Sequence, residues 1–301
     1  MRRLAGLAAL LALLAGCQEP PPPPSPAARY MVGQPYEMGG MWSYPKEDFA
    51  GSESGLATVL PDARSGRRTG NGEIFDPAQL MAAHRTLQLP AIVSVTNLEN
   101  GREIRVRVND RGPPNPARLI GLSSRAASLL GMAPGSAAQV RVAVETSPSR
   151  ALAGQLPSSE RVELAVTAAP TGTVEREALA PLDGARQSTR VREVAQRGPS
   201  VTTVADASLA LPPNPLPEEL SQRPAGAGRL MLAAGSFFRR DLAQQQAARI
   251  AGLRARVEQQ GSGRSAQFRV VAGPFGSVAE ADAAFAGALG TGLPEARLVV
   301  E

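Results

Sequence analysis

A stretch of about 80 residues without hydrophobic periodicity divides this chain of 301 residues into two patterned parts. From residue 146 to residue 228, Pro, Ser, Thr and Ala dominate among scattered charges. A segment of this composition cannot bury enough apolar surface to fold. We therefore predict two domains joined by a disordered linker over 146–228. A short strand over 161–167 is the alternative to full disorder.

The composition excludes several classes of protein. The 30 Gly and 27 Pro exclude a single long helix or coiled coil. One Cys excludes a disulfide scaffold, and one Cys with one His excludes a zinc site built from these residues. The formal net charge of +5 at pH 7 indicates an anionic partner only weakly. We expect no metal and no cofactor.

The first residues have the pattern of a secretory signal. Arg2 and Arg3 precede an apolar run over 4–15 that is too short for a bilayer, which needs about 20 residues. The chain's one Cys follows at once in Leu14-Ala15-Gly16-Cys17, which resembles the bacterial lipoprotein signal. The resemblance implies a signal peptide over 1–16 and a lipid, such as palmitate, on Cys17. An ordinary signal with an incidental Cys is the alternative.

The predicted anchor also bears on location and partners. Position 18 is Gln, whereas Asp marks inner-membrane retention in enteric lipoproteins, so the resemblance favours the outer membrane over the cell membrane. Such a location leaves no role for nucleic acid. A Pro-rich tether over 17–29 should form polyproline II above the lipid.

An arm over 30–54 contains all three Tyr and the one Trp, at Tyr30, Tyr36, Trp42 and Tyr44. Aromatic faces can stack on sugars, but rings this concentrated can also pack on the domain that follows. Both interpretations stay open from the sequence.

Residues 55–145 have the pattern of a compact, mainly-β barrel. We predict strands over 91–96, 103–108 and 139–144, with a hairpin turn at Asn100-Gly101. We also predict one helix from about 77 to 87 and another that begins after a Ser123 cap and ends at Gly131.

Residues 229–301 alternate strands with helices, which indicates a small α+β domain of ferredoxin-like type. We predict strands over 230–234, 268–272 and 296–300 and a helix over 278–289. The other helix is predicted to begin at a capping Asp241, with apolar positions 242, 250, 253 and 257.

Three titratable residues lie in distinctive runs of the first domain. Glu73 ends Thr69-Gly70-Asn71-Gly72-Glu73, His84 lies in Ala83-His84-Arg85, and Asp110 precedes Arg111-Gly112-Pro113 after a strand. Asn and Asp beside Gly and Pro are common in turns, and a single His is more often structural than catalytic. A Glu, a His and an Asp can also form an acid/base site, in which a carboxyl in a low-dielectric cleft protonates a leaving oxygen.

At these residues the chain resembles the rare lipoprotein A family of septal lytic transglycosylases. The shared motifs are the aromatic arm, Thr-x-Asn-Gly-Glu, Ala-Ala-His-Arg-Thr-Leu and Val-x-Val-Asn-Asp-Arg-Gly-Pro. The resemblance implies a double-psi β-barrel with Glu73, His84 and Asp110 as catalytic residues. It implies cleavage between N-acetylmuramic acid and N-acetylglucosamine by the muramyl 6-hydroxyl, which closes a 1,6-anhydro ring without water, metal or cofactor.

Within this resemblance Asp110 is our choice for general acid and then base, because a strand positions it. A guanidinium from the basic run Arg107, Arg111 and Arg118 would hold Asp110 ionised, which suits a base, so Glu73 is the rival proton donor. His84 is assigned to orienting a carboxyl or a sugar hydroxyl. We expect Asn71, Arg85 and Arg111 to bind substrate.

The chain departs from the family in three places. Gly70 stands where the family usually has Ala. Thr58, Val59 and Leu60 stand where the family has Ser and two aromatic residues. Gly121 stands where the family has Asp, so a carboxylate is missing from the groove.

The C-terminal part resembles the sporulation-related repeat, or SPOR domain, in its runs over 232–237 (LAAGSF) and 268–275 (FRVVAGPF). That family binds peptide-free glycan on its sheet face, which targets proteins to the division septum. Candidate contacts are Phe237, Phe268, Arg269 and Phe275, although alternation along a strand places some of them in the core.

Two functions follow from these resemblances. The first is a lipid-anchored lytic transglycosylase that acts on peptide-free glycan strands at the septum. The second is a non-catalytic peptidoglycan-binding lipoprotein. We expect a monomer in either case, with the two domains independent of one another.

Overall fold

The computed structural model describes residues 26–158, 214–293 and 295–301. The predicted signal peptide, the lipidation site Cys17, most of the Pro-rich tether and the alternative strand over 161–167 lie outside these residues. Within the described ranges, no helix combines the length and apolar character needed to cross a membrane.

The first domain is a closed barrel of six strands with mixed directions. They are β3 (Ser52–Val59), β4 (Met81–His84), β5 (Ala91–Asn97), β6 (Arg102–Asp110), β7 (Ile120–Leu122) and β8 (Ala137–Val144). Their order is β4-β7-β3-β8-β5-β6, and pairing between β4 and β6 closes the barrel. The pairs β3–β7 and β4–β6 are parallel, while the other pairs are antiparallel. The predicted compact barrel is confirmed.

Most of the predicted elements of this domain are present. All three predicted strands lie within β5, β6 and β8, and the β5–β6 hairpin turns at Gly101 with φ +76°. Helix α1 (Ser124–Leu129) begins after Ser123, whose side chain accepts a hydrogen bond from the Ala126 backbone N–H. The predicted hydrophobic alternation of β6 places Val106 and Val108 in the core.

The helix predicted over 77–87 is wrong, because residues 81–84 form strand β4. All four of its residues are buried, and the strand lies between β6 and β7. A strand that is covered on both faces shows no polar alternation in its sequence, so its Met, Ala and His residues resemble a short helix.

The aromatic arm packs with some of its rings and exposes others. Strands β1 (Tyr36–Met38) and β2 (Met41–Ser43) form an antiparallel pair beside the barrel. Tyr30 is buried, whereas Trp42 and Tyr44 are 52% and 66% exposed. The packing interpretation therefore holds for Tyr30, and the outer rings are free to meet a ligand.

Regular structure occupies both ends of the segment that we expected to be a disordered linker. Helix α2 (Thr146–Gln155) packs Leu152 against the barrel, beside Tyr30 and Ile92. Strand β9 (Leu220–Gln222) pairs antiparallel with the start of β6. The expectation of disorder is therefore wrong for both ends of 146–228, because each end has barrel surface to pair with or cover.

The C-terminal domain has the predicted ferredoxin-like order of strands and helices. Its elements are β10 (Leu230–Phe237), α3 (Arg240–Arg249), β11 (Arg256–Gln260), β12 (Gln267–Phe275), α4 (Val278–Gly290) and β13 (Arg297–Val300). The four strands form an antiparallel sheet in the order β11-β12-β10-β13.

Two details of helix α3 differ from the prediction. Asp241 does not cap the helix, because it lies inside the first turn and accepts hydrogen bonds from the Arg239 guanidinium. The predicted apolar positions also fail in part: Leu242 is 40% exposed, Leu253 lies in a separate 3-10 helix over Ala251–Leu253, and Val257 belongs to β11. The helix ends at Arg249, and the chain turns at Arg254, where φ is +57°.

The two domains pack against each other, which contradicts the expected independence. Strand β13 lies against β3, and one apolar cluster joins Leu56 and Leu98 of the barrel with Leu298 and Val300. Between the domains, the chain over 223–228 follows the barrel surface through backbone hydrogen bonds. They run from the N–H groups of residues 223 and 226 to the carbonyls of residues 101 and 98, at 2.7 and 2.8 Å.

Candidate functional site

Asp110 lies at the last position of β6, at the edge of the barrel. Its Oδ1 accepts hydrogen bonds from the backbone N–H groups of Gly70 and Arg111, both at 2.8 Å. Its Oδ2 forms an ion pair with the Arg64 guanidinium. The Asp110 side chain is 9% exposed. A rigid strand and three donors therefore fix one carboxylate at the edge of the barrel.

Glu73 is enclosed by comparison. It is 1% exposed, and its two carboxylate oxygens accept hydrogen bonds from the side-chain amides of Asn71 and Asn109, at 2.9 and 3.0 Å. The buried guanidinium of Arg107 lies 3.6 Å from Oε2. Burial lowers the pKa of Arg107, and the Glu73 carboxylate opposes that shift. Glu73 thus meets protein donors on both oxygens.

The loop over 69–73 links these two carboxylates. Gly70 donates to Asp110, Asn71 donates to Glu73, and the backbone N–H of Asn71 donates to the carbonyl of Asn109 at 3.2 Å. Gly72 turns the loop with φ +89°, and a Cβ there would lie 2.2 Å from the carbonyl oxygen of Ala27. Glu73 therefore holds the loop whose backbone holds Asp110.

The N-terminal chain covers the outside of this loop. The backbone N–H groups of Ala27 and Arg29 donate to the carbonyls of Gly72 and Asn71, both at 2.9 Å. The loop is thereby fixed between β6 on one side and the start of the described chain on the other.

His84 ends strand β4, next to Ala83, which pairs with Asp110 across β4 and β6. Its Nδ1 accepts hydrogen bonds from the backbone N–H groups of Thr86 and Leu87, at 3.3 and 3.2 Å. The proton of the neutral ring is therefore on Nε2. Burial, with smaller contributions from the Arg111 and Arg85 charges, lowers its pKa to about 4. His84 is therefore neutral near pH 7. No hydrogen bond joins it to Asp110 or Glu73 in the described residues.

The predicted substrate-binding residues of the barrel make extensive contacts within the protein. Arg85 is buried and donates to Ser43 Oγ and to the carbonyls of Met38 and Pro113, at 3.1, 2.6 and 3.0 Å. It thereby fastens the arm to the barrel. Arg111 donates to carbonyls of the arm and of the β4–β5 connection and lies 5.9 Å from the centroid of the Tyr36 ring.

The basic residues around the carboxylates differ from those that we expected. Arg107 lies beside Glu73, and Arg118 pairs with Asp282 of the C-terminal domain at 2.6 Å. The charge that meets Asp110 is Arg64, from a short 3-10 helix over Asp62–Arg64. Sequence reasoning missed Arg64 because 46 positions separate it from Asp110 and no motif contains both.

Two of the departures from the family motifs, at Leu60 and Gly121, meet at one place in the barrel. A Cβ on Gly121 would lie 2.5 Å from Cδ2 and 3.1 Å from Cγ of Leu60. Leu60 is buried with Phe75, Met81 and Ala83. The Leu60 side chain therefore fills the space that a larger residue at position 121 would need.

The predicted glycan-binding residues of the C-terminal domain lie on two different faces of its sheet. Phe237, Phe268 and Phe275 pack against the core on the helix side of the sheet. Arg269 alternates with the core residue Val270, so it lies on the other face, where it pairs with Glu301.

Comparisons with known proteins match both domains. Residues 52–144 match the family described as lytic transglycolase, and residues 226–292 match the SPOR domain. Over 124 residues the chain is 41% identical to a Yersinia pestis protein named endolytic peptidoglycan transglycosylase RlpA, covering 41% of this chain and 34% of that protein. A Vibrio cholerae protein of the same name is 40% identical over 122 residues, covering 38% and 46%.

The Escherichia coli protein of that name is 49% identical over 79 residues, covering 26% of this chain and 22% of its own length. The chain thus spans between about a fifth and a half of these three relatives. The closed six-stranded barrel agrees with the first match, and the sheet with two helices agrees with the second. This chain therefore combines a lytic transglycolase domain, which is a double-psi β-barrel, with a C-terminal SPOR domain.

Proposed function

We propose that the chain is an endolytic lytic transglycosylase of peptidoglycan. It cleaves the β-1,4 bond between N-acetylmuramic acid and N-acetylglucosamine in peptide-free glycan strands at the division septum. One observation carries the proposal: the barrel fixes the Asp110 carboxylate at its edge with two backbone N–H groups and one partly exposed guanidinium. A positioned carboxylate of this kind can exchange protons with a bound sugar.

The reaction moves one proton and consumes no water. The muramyl 6-hydroxyl oxygen forms a bond to C1 of the same sugar as the bond from C1 to the N-acetylglucosamine O4 breaks. O4 gains a proton and O6 loses one, so a single carboxyl that gives and then takes a proton balances the reaction. Asp110 fills this role, because its side chain is 9% exposed and its partner Arg64 is 27% exposed, whereas Glu73 and its neighbour Arg107 are almost fully buried.

The other two residues of the motif support Asp110. Glu73 acts as a positioning residue, since it holds the loop that donates to Asp110. His84 supplies a neutral ring whose Nε2–H can donate to a sugar hydroxyl or a carboxyl. Trp42 and Tyr44 offer exposed rings on which further sugars can stack.

The test is mass spectrometry of peptide-free glycan strands after incubation with purified protein. The unmodified protein should release strands with 1,6-anhydro ends. Asp110→Asn should lower the rate by about 10²- to 10⁴-fold and keep strand binding, because Asn preserves the shape of the side chain and removes its ionisable oxygen. Asp241→Asn is the matched control, since this exposed carboxylate lies in the C-terminal domain. Undiminished activity of Asp110→Asn would exclude Asp110 from the reaction.

A non-catalytic peptidoglycan-binding protein is the second candidate. The packing of Leu60 against Gly121 favours it, because a carboxylate and two aromatic residues of the related groove are replaced there. Strands that stay intact and sediment with the protein would select this candidate.

We also propose a lipid anchor at Cys17 and targeting through the SPOR domain. The lipid is attached through a thioether, which only the thiol of Cys17 can form, so Cys17→Ser should release the protein from membranes.

Targeting through the SPOR domain is tested separately. Arg269→Glu should reduce enrichment at the septum, because it reverses a charge on the sheet face away from the helices. Arg240→Glu, on the exposed start of α3, is the control with the same charge change.

A further inference from the structure

Arg64 occupies an unusual position beside the reacting carboxylate. It ends a 3-10 helix in which no residue is buried, and its side chain is 27% exposed. Its Nη2 atom pairs with Asp110 Oδ2, and its guanidinium lies 5.6 Å from the centroid of the Phe75 ring. The site thus presents to solvent a positive charge that directly adjoins Asp110.

Only part of the hydrogen-bonding capacity of Arg64 is used. Within residues 26–158 and the described part of the C-terminal region, its guanidinium donates through Nη2 alone. A guanidinium has five N–H donors in a planar fork that matches a carboxylate at two points. Each planar fork of a guanidinium pairs Nη2 with either Nε or Nη1, and Nη2 carries two N–H groups, of which one meets Asp110. The second Nη2 N–H and the neighbouring N–H on the free side of Arg64 can therefore receive a second carboxylate.

The substrate of the proposed reaction carries such a carboxylate. N-acetylmuramic acid bears a lactyl ether on C3 of the same ring whose C1 reacts. In a peptide-free strand this lactyl group ends in a free carboxylate, whereas in a peptide-bearing strand it is a neutral amide. The lactyl group itself is therefore an anion only when the peptide has been removed.

We propose that Arg64 binds the lactyl carboxylate of the muramyl residue that is cleaved, and so selects peptide-free strands. This inference rests on the proposed function and adds the residue that recognises the substrate. A charge-assisted pair from a planar fork is about twice as strong as a neutral hydrogen bond. The amide of a peptide-bearing strand offers Arg64 one neutral acceptor oxygen, whereas the free carboxylate offers two oxygens that share a negative charge.

The experiment compares two forms of the same strands. One form keeps its free lactyl carboxylates, and the other has them coupled to methylamine, which removes the charge at little cost in size. The ratio of kcat/KM for the two forms reports recognition of the carboxylate. A loss of Asp110 positioning in an Arg64 variant lowers both rates and cancels in this ratio.

The unmodified protein should prefer the free carboxylates by about tenfold or more, which corresponds to one charge-assisted hydrogen bond. Arg64→Gln should bring the ratio close to one, and Arg64→Lys should leave an intermediate ratio because it keeps the charge without the fork. Arg68→Gln is the matched control: it removes one charge from the same loop, and no described ion pair contains Arg68. It should keep the ratio of the unmodified protein.

A binding measurement separates this inference from the proposed function. In an Asp110→Asn background, calorimetry with both strand forms should show the same preference, lost on adding Arg64→Gln. If neither form yields anhydro ends but this binding preference appears, the transglycosylase proposal fails and the recognition by Arg64 stands. An unchanged ratio in Arg64→Gln, or no preference in the unmodified protein, would overturn the inference.

Discussion

The guanidinium of Arg118 and the carboxylate of Asp282 form a two-point ion pair between the barrel and the SPOR domain, with N···O distances of 2.6 and 2.7 Å. The Arg118 side chain is 10% exposed and that of Asp282 35%. The pair lies in the same interface as the apolar cluster that contains Leu56 and Leu298. The barrel and the SPOR domain are therefore held in one relative orientation.

This ion pair should contribute measurably to stability. Arg118→Ala and Asp282→Ala should each lower the free energy of unfolding, with a coupling of about 1 kcal/mol in the double-mutant cycle, because the geometry is bidentate and partly shielded. Urea unfolding of the four proteins gives the coupling. A coupling indistinguishable from zero would mean that the domains do not hold this orientation in solution.

Glu73→Gln should lose stability as well as activity. The new amide group would face an amide donor from Asn71 or Asn109, and Arg107 would lose its buried counter-charge. The free energy of unfolding should fall by about 3 kcal/mol. Asp110→Asn is the comparison and should cost much less, since its partner Arg64 is partly exposed. Equal stability of the two variants would argue against the positioning role of Glu73.

Stability should decline below about pH 6.5 because of His84. Its pKa is about 4 in the folded protein against 6.5 ordinarily, so the unfolded chain binds the proton more tightly and acid favours unfolding. The loss grows as the pH falls from 6.5 to 4 and reaches about 3 kcal/mol. His84→Gln removes this titration. Urea unfolding across the window should therefore give a steeper decline for the unmodified protein, and parallel curves would contradict the assignment.

Introducing a side chain at position 121 should be costly until Leu60 is shortened. Gly121→Ala places a Cβ against Leu60, and overpacking of this kind costs about 1–3 kcal/mol. Leu60→Ala alone should also destabilise, because it leaves a cavity. The double variant should lose less free energy of unfolding than the sum of the losses of the two single variants, as measured by thermal or urea unfolding. Strict additivity would show that the two positions do not share the space.

The sequence predicted both domains and the location of Asp110, because these depend on local patterns. The alternation in β6 and the turn after it are visible in the residues that form them. No local pattern points to Arg64, because its partner Asp110 is distant in sequence. The sequence of β4 resembles a helix because both faces of this strand are buried. The Pro-rich composition around residue 220 also concealed β9, whose pairing depends on the exposed start of β6.

The contact between the N-terminal chain and the loop over 69–73 has a mechanical consequence. Ala27 and Arg29 hold the carbonyls of Gly72 and Asn71, next to the Gly70 N–H that holds Asp110. Tension applied upstream of residue 26 is borne first by these hydrogen bonds, before any strand of the barrel takes the load. A pull from the N-terminal side therefore reaches a hydrogen-bond donor of the Asp110 carboxylate within two peptide units.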